Sequence, residues 1–363
     1  MDPVDDEGAV SAPPSPGPAR ERGASSTDSA RLDRWLTIGV WAAAVAVLAF
    51  AAFFAYSVYA QQQADRLSSP TSLAVDALQE QVNAKPGDAE LHSRLGEALA
   101  AAGQLDKAKQ EFLAAIQLND AYVGAYQNLA TVELMQNDYT NSAVHWQKVL
   151  DLTADSQMQD VNQRRDLAYF NLGQIALVQK DYVGAVGYFN AALRIRKDAS
   201  DTYLLLAKAY MGLGQNDQAM DKVNGALTFE PKYAEAHYVR GQLYLAAGDT
   251  VSAAWDFRAA VDSAPDNPEA QAAIESLGSY ESWYGKAVTA SASKDTSAAL
   301  DAIRIARSIQ PDSYDAAMLN GQILEAKGDA KDAVDAYTIA LKIRPDDPAA
   351  TAALSRATAA SKG

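Results

Sequence analysis

Residues 200–233 read SDTYLLLAKAYMGLGQNDQAMDKVNGALTFEPKY. Two helical patterns flank Gly214, a residue that tolerates the left-handed conformation ending a helix, and Pro231 stops the second pattern because it cannot continue the hydrogen-bond ladder. Small residues stand at Ala207, Ala219 and Ala226, with a larger one at Val223. Antiparallel helices approach to about 8 Å only where their contact residues are small, so the stretch reads as a helical hairpin with crossing points at the alanines and Val223 as core.

The same arrangement recurs every 34 residues, at 89–122, 123–156, 166–199, 200–233, 234–267, 280–313 and 314–347. Position 8 is Gly96, Ala130, Gly173, Ala207, Gly241, Ala287 and Gly321; positions 20 and 27 are Gly, Ala or Ser everywhere except Val149. Position 24 carries Phe112, Trp146, Phe189, Val223, Phe257, Ile303 and Tyr337, the expected core of each second helix. Glycine holds position 15 at Gly103, Gly214, Gly248 and Gly328, and proline holds position 32 at Pro231, Pro265, Pro311 and Pro345.

This pattern resembles the tetratricopeptide repeat family, and Tyr203, Leu206, Tyr210, Ala219 and Pro231 reproduce much of its signature in the fourth unit. The first three units depart from it at position 32, where Asp120, Ala154 and Lys197 replace proline. The resemblance implies an all-α, right-handed superhelical solenoid of seven hairpins: units 1–5 over 89–267, broken by a spacer at 157–165, and units 6–7 over 280–347. The first spacer, ending NQRR, is expected to extend a neighbouring helix, and the second, 268–279, to form a short helix stopped by Gly278. A linker with an N-capping helix over 61–88 and a C-capping helix over 348–363 are expected to close the open apolar ends of the stack.

Upstream, residues 36–59 contain 24 residues without a charge. As a helix they reach roughly 36 Å, enough to cross a hydrocarbon core of about 30 Å. Trp35, Trp41, Tyr56 and Tyr59 stand toward the ends, where such rings favour the headgroup region. A transmembrane anchor is expected here; the alternative is a signal peptide cleaved after Ala60, against which stand the span's length and the 35 residues before it. Residues 1–33, rich in Pro, Gly, Ser and acid, are expected to be a disordered cytoplasmic tail. Arg20, Arg22, Arg31 and Arg34 before the span, against Arg66 after it, favour a cytoplasmic N-terminus and an extracytoplasmic repeat body at a plasma membrane, with reversed topology as the alternative.

Composition narrows the function further. The chain has no cysteine, which removes thiol nucleophiles, disulfides and Cys-ligated metals, and its formal net charge of −15 disfavours nucleic acid as a partner. No cofactor, metal site or catalytic motif is expected, and little sequence outside the repeats is available for a catalytic domain. His92 and His237 at position 4 and His145 at position 23 are expected to pack within the repeats, and the abundant carboxylates to lie on solvated helix faces.

By the resemblance, the first helices line a concave groove through positions such as 5 and 9. The candidate groove residues are Gln127, Thr131, Phe170, Gln174, Leu204, Lys208, Tyr238, Gln242, Tyr284 and Gln322. Amides can bond the backbone of a protein segment while rings anchor its side chains. The competing reading places several of these side chains against the adjacent unit, Phe170 and Leu204 above all. No Lys/Asn/Arg set of the kind that grips a C-terminal carboxylate in some family members is present. A membrane-anchored, non-catalytic scaffold for an envelope-associated complex is the expected function, and a self-associating structural protein the alternative.

Overall fold

The computed structural model describes residues 54–58, 70–154 and 159–362. The chain divides into two compact units, Met1–Ala74 and Val75–Gly363. In the first, 54–58 are helical (α1). Among the described residues no helix is long and apolar enough to cross a membrane; most of the expected 36–59 span and the whole 1–33 tail lie outside them.

Among the described residues from 70 onward every regular element is a helix. After α2 (Pro70–Ala84) come seven pairs: α3 (Ala89–Ala101) with α4 (Leu105–Leu118), α5 (Val123–Met135) with α6 (Tyr139–Leu152), α7 (Gln159–Val178) with α8 (Tyr182–Ile195), α9 (Ser200–Gly212) with α10 (Asn216–Phe229), α11 (Ala234–Ala246) with α12 (Thr250–Ser263), α14 (Tyr280–Ala292) with α15 (Thr296–Ile309), and α16 (Tyr314–Lys327) with α17 (Ala330–Ile343). The short α13 (Pro268–Ser276) precedes the sixth pair and α18 (Pro348–Ala360) follows the last. Residues 159–165 form the first turns of α7, which is 20 residues long where the other first helices have 13 or 14.

The hairpin turn is the same in all seven pairs. Position 15 is left-handed throughout, with φ between 71° and 92° at Gly103, Gly214, Gly248 and Gly328, and between 60° and 62° at Asn137, Lys180 and Lys294. That geometry lets the next N–H bond back to the first helix, as in Asp138 N to Glu133 O and Asp181 N to Ala176 O, both 2.8 Å, satisfying a carbonyl the helix end would leave open. Asp138, Asp181, Asp249 and Asp295 then cap the second helix through their side chains.

Inside each hairpin, positions 8 and 24 are fitted to one another. Where position 24 is Phe112, Phe189, Phe257 or Tyr337, position 8 is Gly96, Gly173, Gly241 or Gly321, and a Cβ added to any of these glycines would sit 2.4–2.6 Å from a ring carbon. Val223 and Ile303 face the alanines Ala207 and Ala287, and Trp146 is the one aromatic residue paired with an alanine, Ala130. All seven position-24 side chains are buried.

Successive units stack second helix on first: α4 on α5, α6 on α7, α8 on α9, α10 on α11 and α15 on α16, with α18 covering α17. At the other end, Val75, Leu78 and Val82 of α2 pack with Leu91, Leu95 and Phe112. Among the described residues the stacking departs from this pattern at one junction, the second spacer. Helix α13, capped by Asn267 and ended at Gly278 (φ 108°), lies against α12 and seats Ile274 beside Ala253 and Phe257. Helix α12 then packs on α15, the second helix of the sixth unit.

Candidate binding surfaces

The proposed groove residues divide by how their side chains are used. Gln174 and Lys208, on α7 and α9, line one hollow of about 580 Å³ together with Leu134, Val178, Tyr182 and Leu205. Val178 is 57% exposed, so the hollow offers a free apolar surface beside an amide and an ammonium group, although Lys208 also pairs with Glu235. Gln127 accepts from the Arg164 guanidinium at 2.8 Å, a link between the first helices of units 2 and 3, and the Thr131 hydroxyl donates to the Gln127 carbonyl at 2.8 Å. Gln242 is half-buried and Gln322 exposed.

The rings are only partly available. Phe170 meets Phe189 edge-on at 6.2 Å, Tyr238 tilts against Phe257 at 5.9 Å, and Tyr284 stacks on Tyr280 at 5.5 Å, each half-buried against a core cluster. Leu204 is a correction: it is 1% exposed and packs with Val223, Ala226 and Val239, so it belongs to the core and offers nothing to a partner. Position 5 sits at the edge of the hairpin core. A ring there reaches outward past the edge, while Leu204, and Ser93 in the first unit, stay beneath it.

The carboxylates require a second correction. Glu133 and Asp256 are each 1% exposed rather than solvated. Glu133 pairs with Lys109 of the preceding unit at 2.9 Å and with His145 at 2.6 Å. Asp256 accepts from Arg240 Nε at 2.7 Å and from His237 Nδ1 at 2.8 Å, while His237 Nε2 lies 3.0 Å from the Pro231 carbonyl. Burial alone would push the Asp256 carboxyl up, but the hydrogen bonds from His237 and Arg240 outweigh it and hold it below the usual range. His92 makes the same pair of contacts in the first unit, to Glu111 at 2.6 Å and the Pro86 carbonyl at 3.1 Å. All three histidines therefore pack within hairpins, each beside a carboxylate, and no group of residues able to hold a metal ion occurs among the described residues.

The His237 contacts have a pH consequence. Both of its neighbours are acceptors, so the doubly protonated ring is favoured and its pKa is raised from 6.5, chiefly by the bond to Asp256. A raised folded-state value means a contribution fully present below the unfolded pKa of about 6.5 and lost as pH climbs through the higher folded value. Urea midpoints of the wild type and His237→Gln are expected to differ most near pH 5.5 and to converge as pH rises above 6.5. A gap that widens with pH would show that His237 is held neutral.

A surface that the first-helix reading leaves out lies where α13 interrupts the stack. A cleft of about 550 Å³ opens between units 5, 6 and 7, walled by Trp255 of α12, Arg304 and Arg307 of α15, Asn320 of α16, and Asp332 and Asp335 of α17. Trp255 is 70% exposed. The signal available in the sequence was the 268–279 spacer, since a changed stacking register sets the second helix α12 on the second helix α15 where elsewhere a second helix meets the next first helix.

Family models of the tetratricopeptide repeat match residues 89–122, 128–201, 176–243 and 271–348, which together span well over half of the chain. No curated protein matches it. Among solved structures, YrrB, described as a TPR protein with an unusual peptide-binding site, is 18% identical, with 56% of this chain and all of YrrB covered and a TM-score of 0.47. Residues 41 to the end of MamA from Desulfovibrio magneticus RS-1 are 18% identical over 50% of this chain and 97% of that one, with a TM-score of 0.45. For Pseudomonas aeruginosa PilF the values are 18%, 61%, 94% and 0.46. Similarity at this level does not bear on what the chain binds.

Proposed function

The chain belongs to the tetratricopeptide repeat family, and from that premise we propose that it is a non-catalytic scaffold whose first-helix face takes up segments of partner proteins. The observation that carries this is the hollow across α5, α7 and α9, where Gln174 and Lys208 border the exposed side chain of Val178. An extended segment can place an apolar side chain on Val178 and Leu205 while Gln174 bonds its backbone. The matched families are repeat modules, and no enzyme family is among them.

The finer part of the proposal is location. The 24 uncharged residues at 36–59 anchor the chain in a plasma membrane, and the arginines before them keep the N-terminus cytoplasmic, leaving the repeats outside to serve an envelope-associated assembly.

One experiment addresses both parts. A photo-crosslinker at position 178 of the full-length, membrane-resident chain is expected to capture a defined protein, and Gln174→Ala with Lys208→Ala to reduce capture at least 10-fold at unchanged helix content. Capture undiminished by that pair removes the hollow as the site. Protease added outside intact cells is expected to digest the repeats; digestion only after cell lysis reverses the topology.

A further inference from the structure

Besides the first-helix face, the molecule carries a second built recess, and its electrostatics are unusual. Arg304 and Arg307 lie three residues apart on α15, on one face, and both enter the cleft at the α13 interruption. Among the described residues neither guanidinium has an ion-pair or hydrogen-bond partner, and the Arg307 Nε is buried without an acceptor. Leaving a buried donor unsatisfied costs about 1–3 kcal/mol, and more for a charged group. The remaining buried charge of the cleft, Asp256, is already taken by Arg240 and His237. Burial pushes the Arg307 guanidinium below its ordinary value with no neighbouring anion to restore it.

We propose that the cleft between units 5, 6 and 7 is a second binding site, in which Arg304 and Arg307 hold the carboxylate of an acidic side chain in a protein segment while Trp255 covers an adjacent apolar side chain. The fork of a guanidinium matches a carboxylate in two parallel bonds, and such a bond would give the Arg307 Nε the acceptor it lacks. A phosphate would satisfy the same donors, but Asp332 and Asp335 line the cleft as well and repel a dianion more strongly than a carboxylate. The volume, about 550 Å³, falls within the roughly 300–1,000 Å³ of pockets that enclose a ligand or an anchored side chain. The site does not depend on the first-helix hollow, which lies on units 2–4.

The test uses the full-length chain and three probes: a blocked, fluorescein-labelled pentapeptide with two glutamates flanking a leucine, its glutamine counterpart, and inorganic phosphate. Fluorescence anisotropy is expected to show saturable, salt-sensitive binding of the glutamate peptide and at least 10-fold weaker binding of the glutamine peptide. Arg304→Gln and Arg307→Gln are each expected to weaken the glutamate peptide at least 10-fold. Arg304 is exposed, so its variant tests the site even if Arg307→Gln fails to fold. Gln174→Ala with Lys208→Ala should leave this binding unchanged, which separates the cleft from the hollow. Equal binding of the two peptides, no binding of either, or indifference to Arg304→Gln overturns the proposal, and displacement by phosphate at concentrations equal to the peptide's shows that the donors are set for phosphate instead.

Discussion

Asp256→Ala is expected to destabilise the repeat array by about 3–5 kcal/mol at pH 7, the usual consequence of removing one partner from a buried ion pair. Asp256 is the hub of a buried polar cluster: Arg240 grips both its oxygens, at 2.7 and 2.8 Å, and His237 bonds one of them. Arg240 also donates to Asn224 on α10 at 2.9 Å, so the cluster ties the fourth hairpin to the fifth. Deleting the carboxylate strands a half-buried guanidinium and an imidazole whose other nitrogen already faces a carbonyl. Asp256→Asn should lose less, since the amide keeps the shape and one acceptor but not the charge. Urea unfolding followed by circular dichroism measures both. A loss under about 1 kcal/mol for the alanine variant would mean that water reaches the cluster, since exposed pairs contribute only that much.

That cluster also marks where sequence reading stops. The 34-residue period and the small residues at positions 8, 20 and 27 are visible because steric fit at helix crossings leaves almost no choice of residue. Position 15 was legible only where it is glycine. Asn137, Lys180 and Lys294 adopt the same left-handed backbone because the hairpin around them imposes it, at a cost of roughly 1–2 kcal/mol that their side chains do not announce.

The burial of Glu133 and Asp256 was hidden for a different reason. A carboxylate on a helix face looks the same whether water or a histidine lies opposite, and only the pairing of His92 with Glu111 and of His237 with Asp256, positions 4 and 23 in two separate units, hinted at a repeated contact. Leu204 shows the same limit at the groove. Position gave its place on the first helix, but side-chain length decided whether it crossed the core edge. For the junction cleft the 268–279 spacer marked only the interruption; its walls exist through the packing of α12 on α15, which no residue pattern shows.

The fit between positions 8 and 24 supplies the second large effect, and one whose sign should reverse with background. In a helix, Ala is worth about 0.5–1 kcal/mol over Gly. At Gly241, however, a Cβ would lie 2.5 Å from Cε1 and 2.6 Å from Cδ1 of Phe257, a ring that is 1% exposed and has no room to withdraw. Overpacking of this kind costs about 1–3 kcal/mol, so Gly241→Ala should destabilise the protein. Phe257→Val alone leaves a cavity and should cost about 2–4 kcal/mol. The double variant recreates the pairing already present in the fourth unit, Ala207 beneath Val223, where both residues are fully buried. There the added methyl meets space instead of a ring, so Gly241→Ala introduced into Phe257→Val should be neutral or stabilising. The resulting coupling energy, about 2–3 kcal/mol by a double-mutant cycle in urea, lies well above the roughly 0.3–0.5 kcal/mol within which independent sites add. Additive losses would mean that the backbone of the two helices moves apart to accept the methyl, and that Gly under Phe or Tyr and Ala under Val or Ile is not a steric requirement of the hairpin.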